Sequence, residues 1–113
     1  MNRAYGLRGA KDFRLLFRYG TRVQSPAFQL LWRLNRLSHA RLAFIAPKAA
    51  VKLAVARNRL RRMAREWVRK NILPLSRPAD VAVIFKKGAA NVPTEKLYEE
   101  FDRVFRKLSL PDD

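Results

Sequence analysis

The spacing of apolar residues along this chain changes several times, and each change marks an element. Over residues 11–19, Phe13, Leu16 and Phe17 recur at i, i+3 and i+4, which is one face of a short helix, and Gly20 closes the run. From Phe28 to Leu34 the period falls to two. Phe28, Leu30, Trp32 and Leu34 share one side; Gln29, Leu31 and Arg33 share the other. Residues 41–46 read as a second strand, ended by Pro47, which has no N–H to give to a ladder. Residues 36–40 between these strands are expected to make a hairpin connection, although they lack an Asn-Gly type of turn signal. Residues 80–86 read as a third, largely buried strand, with Val81, Val83 and Phe85 opposite Ala82 and Ile84.

Two later stretches are more strongly helical. In the last, Leu97, Phe101, Val104, Phe105 and Leu108 lie on one stripe. Thr94 is placed to cap its start. Glu95, Glu99 and Glu100 fall early, and Arg103, Arg106 and Lys107 late, as the helix dipole favours. This helix reads as scaffold. Over residues 57–70, Leu60, Met63, Ala64, Trp67 and Val68 form an apolar arc at ~100° per residue. Asn58, Arg61, Arg62, Arg65 and Arg69 form a second arc facing away from the core, and Arg59 lies beyond Arg62. The order helix, strand, strand, basic helix, strand, helix predicts an α+β fold. Its form is a two-layer α/β sandwich, with helices on a small, mostly antiparallel sheet that has room for one extra short strand. The length suits a single domain over residues 1–113.

Charge changes the picture. The chain carries 25 Lys or Arg against 9 Asp or Glu, a net of +16. Residues 1–78 hold 19 basic and 2 acidic side chains, and residues 79–113 hold 6 and 7, so the basic surface belongs to the first two-thirds. Arg supplies 17 of the 25 cations, and its planar fork fits phosphate and stacks on bases. A hydrophobic fraction of 49% argues against a disordered basic tail. The absence of Cys excludes disulfides, Cys-based zinc sites and thiol nucleophiles. No apolar run approaches the roughly 20 residues of a membrane span, and residues 1–6 do not read as a secretory signal. The expectation is a cytoplasmic protein with no membrane partner.

In the middle helix 7 of the 14 residues 57–70 are basic, and Glu66 is the one acid. Arg57, Arg61, Arg65 and Arg69 repel one another at i, i+4. An ordinary solvated face mixes signs; this one does not, which points to an anionic partner. No helix-turn-helix pair precedes it, so a DNA groove reader is disfavoured. A sheet domain flanked by a basic helix suits structured RNA, recognised through shape and phosphates. Catalytic constellations are missing. His39 stands alone in the expected hairpin, 7 of 9 carboxylates sit in residues 79–113, and there is no phosphate-binding Gly loop.

The segment Arg57-Asn58-Arg59-Leu60-Arg61-Arg62-Met63-Ala64-Arg65-Glu66 closely resembles the signature of the protein subunit of bacterial ribonuclease P. Asp12-Phe13, Phe17 and Gly20 resemble that family's first helix, and Asp80-Val81-Ala82-Val83-Ile84 its final strand. The resemblance implies that an RNA subunit does the chemistry, using Mg2+, and removes the 5′ leader of precursor tRNA. The protein would bind no cofactor and need no further protein partner. Lys48, Arg57, Asn58, Arg59, Arg61, Arg62, Arg65 and Arg69 would then face the catalytic RNA, and Phe13, Phe17 and Leu31 the leader. Leu31 stands where relatives often have Tyr, and Trp32 points to the other side. Ala43 replaces a common Gly, and Arg61 a frequent Lys. Plain core packing remains the simplest account of Phe13 and Phe17 from spacing alone. Another RNA-binding module, such as a ribosomal protein, and a stand-alone nuclease remain the alternatives.

Overall fold

Among the described residues four strands form one sheet, and the last of them in sequence lies inside it. The strands are β1 (Thr21–Gln24), β2 (Phe28–Leu34), β3 (Arg41–Ile45) and β4 (Ala79–Phe85), in the order β1-β2-β4-β3. The computed structural model describes residues 9–37, 39–71 and 78–109. β2 pairs antiparallel with both β1 and β4, whereas β3 runs parallel to β4. The sheet is therefore mixed, and β1 is the extra short strand. Residues 36–40 do not close a hairpin, because β4 separates β2 from β3. The central place falls to β4 because it is apolar in both directions: Val81, Val83 and Phe85 on one side, Ala82 and Ile84 on the other.

Helices α1 (Ala10–Tyr19), α2 (Ala54–Asn71) and α3 (Thr94–Ser109) divide between the two faces. The larger core lies under α2 and α3, where Phe28, Leu30, Leu42, Phe44, Val81, Val83 and Phe85 meet Leu60, Trp67, Leu97, Phe101 and Phe105. The rings of Trp67 and Phe101 stand 5.6 Å apart, those of Phe28 and Phe101 5.0 Å. The smaller core lies on the opposite face, where Leu16 of α1 covers Leu31 and Ala82. The predicted apolar arc of α2 and stripe of α3 are buried as expected; the Leu108 side chain lies outside the described residues.

Gly20 closes α1 as expected; its φ is −70° and its N–H bonds the Leu16 carbonyl at 2.8 Å. Gly is needed there for proximity, since a Cβ would collide with the Leu16 carbonyl oxygen and approach that of Trp32 to 3.2 Å. Thr94 lies inside α3 rather than capping it, and its hydroxyl faces the Met63 sulfur at 3.9 Å. Glu100 is buried rather than a solvent-side dipole partner. It accepts from Ser25 Oγ at 2.5 Å and Ala27 N–H at 2.9 Å, tying the β1–β2 turn to α3. His39, expected in an exposed hairpin, is half-buried in the β2–β3 connection.

Candidate nucleic-acid interface

Helix α2 starts three residues before the expected Arg57, at Ala54, so part of the presumed connection is helical. Around its start Leu53 and Val55 are 72% and 79% exposed. The basic residues then divide by role. Arg57 Nη1 donates to the carbonyls of Val51 and Lys52 at 2.9 and 2.8 Å, and Arg59 reaches that of Ala90 at 3.4 Å. These two brace the helix start against its flanking loops. Arg61 is held by Asn58 Oδ1 at 2.8 Å. Arg62 and Arg65 are exposed and, among the described residues, have no hydrogen-bond or ion-pair partner. Arg69 makes two bonds to Glu66, at 3.0 and 3.3 Å. That hydrogen bonding lowers the Glu66 pKa and raises the Arg69 pKa from their ordinary values. Lys48 is exposed on the turn after β3, where the N–H groups of Ala50 and Val51 bond the Pro47 carbonyl.

On the opposite face, α1 forms a ridge over the sheet. Phe13 is half-buried, and Phe17 is 40% exposed. Their rings stack with centroids 6.3 Å apart and planes 26° from parallel. Arg22 of β1 fixes the helix end by donating to the Phe17 carbonyl at 2.9 Å. Beside the two rings the sheet offers half-buried Gln29, Ala43 and Ile84. Leu31 is not part of this open surface. It is fully buried beneath Leu16, because α1 crosses the sheet directly above it. Arg22 arrives with β1, which follows α1 directly, whereas Ile84, legible as a strand residue, is brought to this face by the pairing of distant strands.

One partly buried link positions the ridge. Arg41 of β3 donates through Nε and Nη2 to both oxygens of Asp80 at 2.8 Å, and through Nη1 to Asp12 of α1 at 3.1 Å. Asn35 Nδ2 adds a bond to Asp80 at 2.9 Å. Hydrogen bonding to Asp80 holds the Arg41 pKa above its ordinary value despite partial burial, with Asp12 contributing in the same direction. Asp12 and Asp80, far apart in sequence, thus meet through one arginine. Among the described residues no three His, Asp or Glu gather as metal ligands, and no helix is long and apolar enough to cross a membrane.

A small mixed sheet with an arginine-faced helix on one side and a partly exposed phenylalanine pair on the other defines a class of strongly basic α+β protein. The family model described as Ribonuclease P matches residues 1–109. The chain is 39% identical over 110 residues to the ribonuclease P protein component of Vibrio campbellii, covering 97% of this chain and 92% of that protein. It is 37% identical over 103 residues to that of Aliivibrio fischeri, covering 89% and 86%. The RNase P protein of Thermotoga maritima superposes with a TM-score of 0.77 at 27% identity, over 96% of this chain and 98% of that one. The Staphylococcus aureus RNase P protein gives 0.83 at 24% identity, over 96% and 100%, a likeness of fold. The chain belongs to the ribonuclease P protein family, whose members are protein components of a tRNA-processing enzyme.

Proposed function

We propose that this chain docks on the catalytic RNA of ribonuclease P through α2 and holds the single-stranded 5′ leader of precursor tRNA beside α1. The observation that carries the first half is the pair Arg62 and Arg65, exposed on a helix whose neighbouring cations repel. Phosphates of a folded RNA remove that repulsion and release counterions, so affinity falls steeply with salt. The second half rests on Phe17, a large ring 40% exposed and stacked on Phe13. Base stacking on such rings is sequence-tolerant, which suits an enzyme that must accept many leaders.

Magnesium, held by the RNA, supplies the hydrolytic chemistry. This chain contributes binding and orientation, acts in the cytoplasm, and needs no second protein. Asp12 and Asp80 are committed to Arg41, so they serve position rather than proton transfer. The test is reconstitution with and without the catalytic RNA in magnesium. Leader removal at low magnesium only when both are present supports the reading. Leader cleavage by the protein alone would replace it with a protein nuclease.

A further inference from the structure

Helix α1 has two flanks, and the leader groove uses one of them. About the buried Leu16, the helical step sets Phe13 and Phe17 to one side and Leu15 and Tyr19 to the other. Tyr19 is 61% exposed, so core packing does not account for it. The guanidinium carbons of Arg18 and Arg33 lie 5.5 and 5.9 Å from its ring centre. Next to this flank an open groove of about 460 Å³ runs between α1 and the β2–β3 connection, lined in part by Lys11, Leu15, Arg33, Leu34 and Arg36. It also holds Asp12 and Asp80, but both are engaged by Arg41. Lys11, Arg33 and Arg36, all exposed, therefore set the sign of the field in the groove.

We propose that Tyr19 and the groove beside it form a second stacking subsite for single-stranded RNA, taking a nucleotide of the leader after it passes Phe17. This rests on the leader-groove reading above. A strand rounding the C-terminal end of α1 from Phe17 to Tyr19 meets Arg18, Gly20 and Arg22 and no acid. An exposed cation–π contact is weaker than base–aromatic stacking. A base therefore displaces a guanidinium from the Tyr19 ring, and the freed Arg18 or Arg33 turns to the adjoining phosphate. Leu15 gives the base edge an apolar wall. Because stacking reads no base edge, the subsite discriminates by leader length rather than by leader sequence.

The test uses holoenzyme reconstituted with the catalytic RNA and two precursor tRNAs, one with a leader of a few nucleotides and one several times longer. In Tyr19→Ala the ratio of long-leader to short-leader affinity is expected to fall roughly tenfold, within the range of one lost base stack. Tyr19→Phe, which keeps the ring, restores the ratio. Phe17→Ala lowers affinity for both substrates. A ratio unchanged in Tyr19→Ala, with the Phe17→Ala effect retained, overturns the subsite alone. Loss of any Phe17→Ala effect overturns the leader groove and this subsite together. Equal melting temperatures for parent and Tyr19→Ala show that the comparison concerns binding.

Discussion

Arg41 and Asp80 are register partners on adjacent parallel strands, and their side chains meet in a two-pronged ion pair with both bonds at 2.8 Å. The same guanidinium reaches Asp12 at the start of α1. One side chain thus fixes the sheet end and the ridge that carries Phe13 and Phe17. Replacing Arg41 with Ala leaves the largely buried Asp80 carboxylate with Asn35 as its remaining side-chain donor. A loss of about 2–3 kcal/mol in denaturant unfolding is expected, less than for a fully buried pair because Arg41 is partly exposed. Arg41→Lys should recover little, since an ammonium cannot make the two-pronged contact. Asp12→Asn keeps the Asp80 pair and should cost far less stability.

Gly20 offers a sharper steric test. Gly20→Ala places a methyl against two backbone carbonyl oxygens, of Leu16 and Trp32, which cannot swing aside as a side chain can. Destabilisation of about 2–3 kcal/mol by overpacking is expected, measured by chemical denaturation. Unchanged stability would show that α1 can separate from β2.

The arginines of α2 should separate into two groups. On the proposed docking, Arg62→Ala and Arg65→Ala remove phosphate contacts and nothing internal. Each should leave the melting temperature of the free protein nearly unchanged and flatten the salt dependence of RNA-subunit binding by about one unit of slope. Arg57→Ala breaks bonds to the Val51 and Lys52 carbonyls and should lower the stability of the free protein by about 1 kcal/mol. A similar stability loss in all three would mean that the face is structural.

Glu66 gives a prediction with pH. Its folded-state pKa is lowered by the Arg69 hydrogen bonds, so its contribution is present above the ordinary carboxylate pKa and disappears as pH falls through the folded value. The stability difference between parent and Glu66→Gln should therefore be seen at neutral pH and close in acid below about pH 4. The same substitution frees Arg69 and removes the one acid among the helix cations, so RNA-subunit affinity should rise a few-fold at low salt. A weaker affinity would place Glu66 itself at the RNA contact.

Local pattern carried much of the fold into view. The alternation of Phe28–Leu34, the apolar arc of α2 and the stripe of α3 are each properties of a single segment; the two helical patterns are buried as read, while in β2 the strand holds but Leu31 is buried and Leu34 exposed. Which strands become neighbours is not such a property. The apolarity of Ala82 and Ile84 beside Val83 and Phe85 marks β4 as buried on both faces, but it is silent about which strands flank it, and the place between β2 and β3 is seen only in the structure. Leu31 misled because alternation shows that it shares a side with Gln29, not that α1 crosses above it. The Arg41 link was invisible, since its two aspartates lie 29 and 39 residues away. The arginine face was legible because its charges lie on one helix.

The central claim is that two separate RNA contacts sit on opposite faces of one small sheet. It is tested most directly by the affinity of reconstituted holoenzyme for precursor tRNA relative to mature tRNA, with Phe17→Ala against the parent. The account predicts a roughly tenfold fall in that ratio, since the leader loses one stacking ring while the tRNA body keeps every contact. An unchanged ratio, with both substrates weakened alike or neither affected, would contradict it.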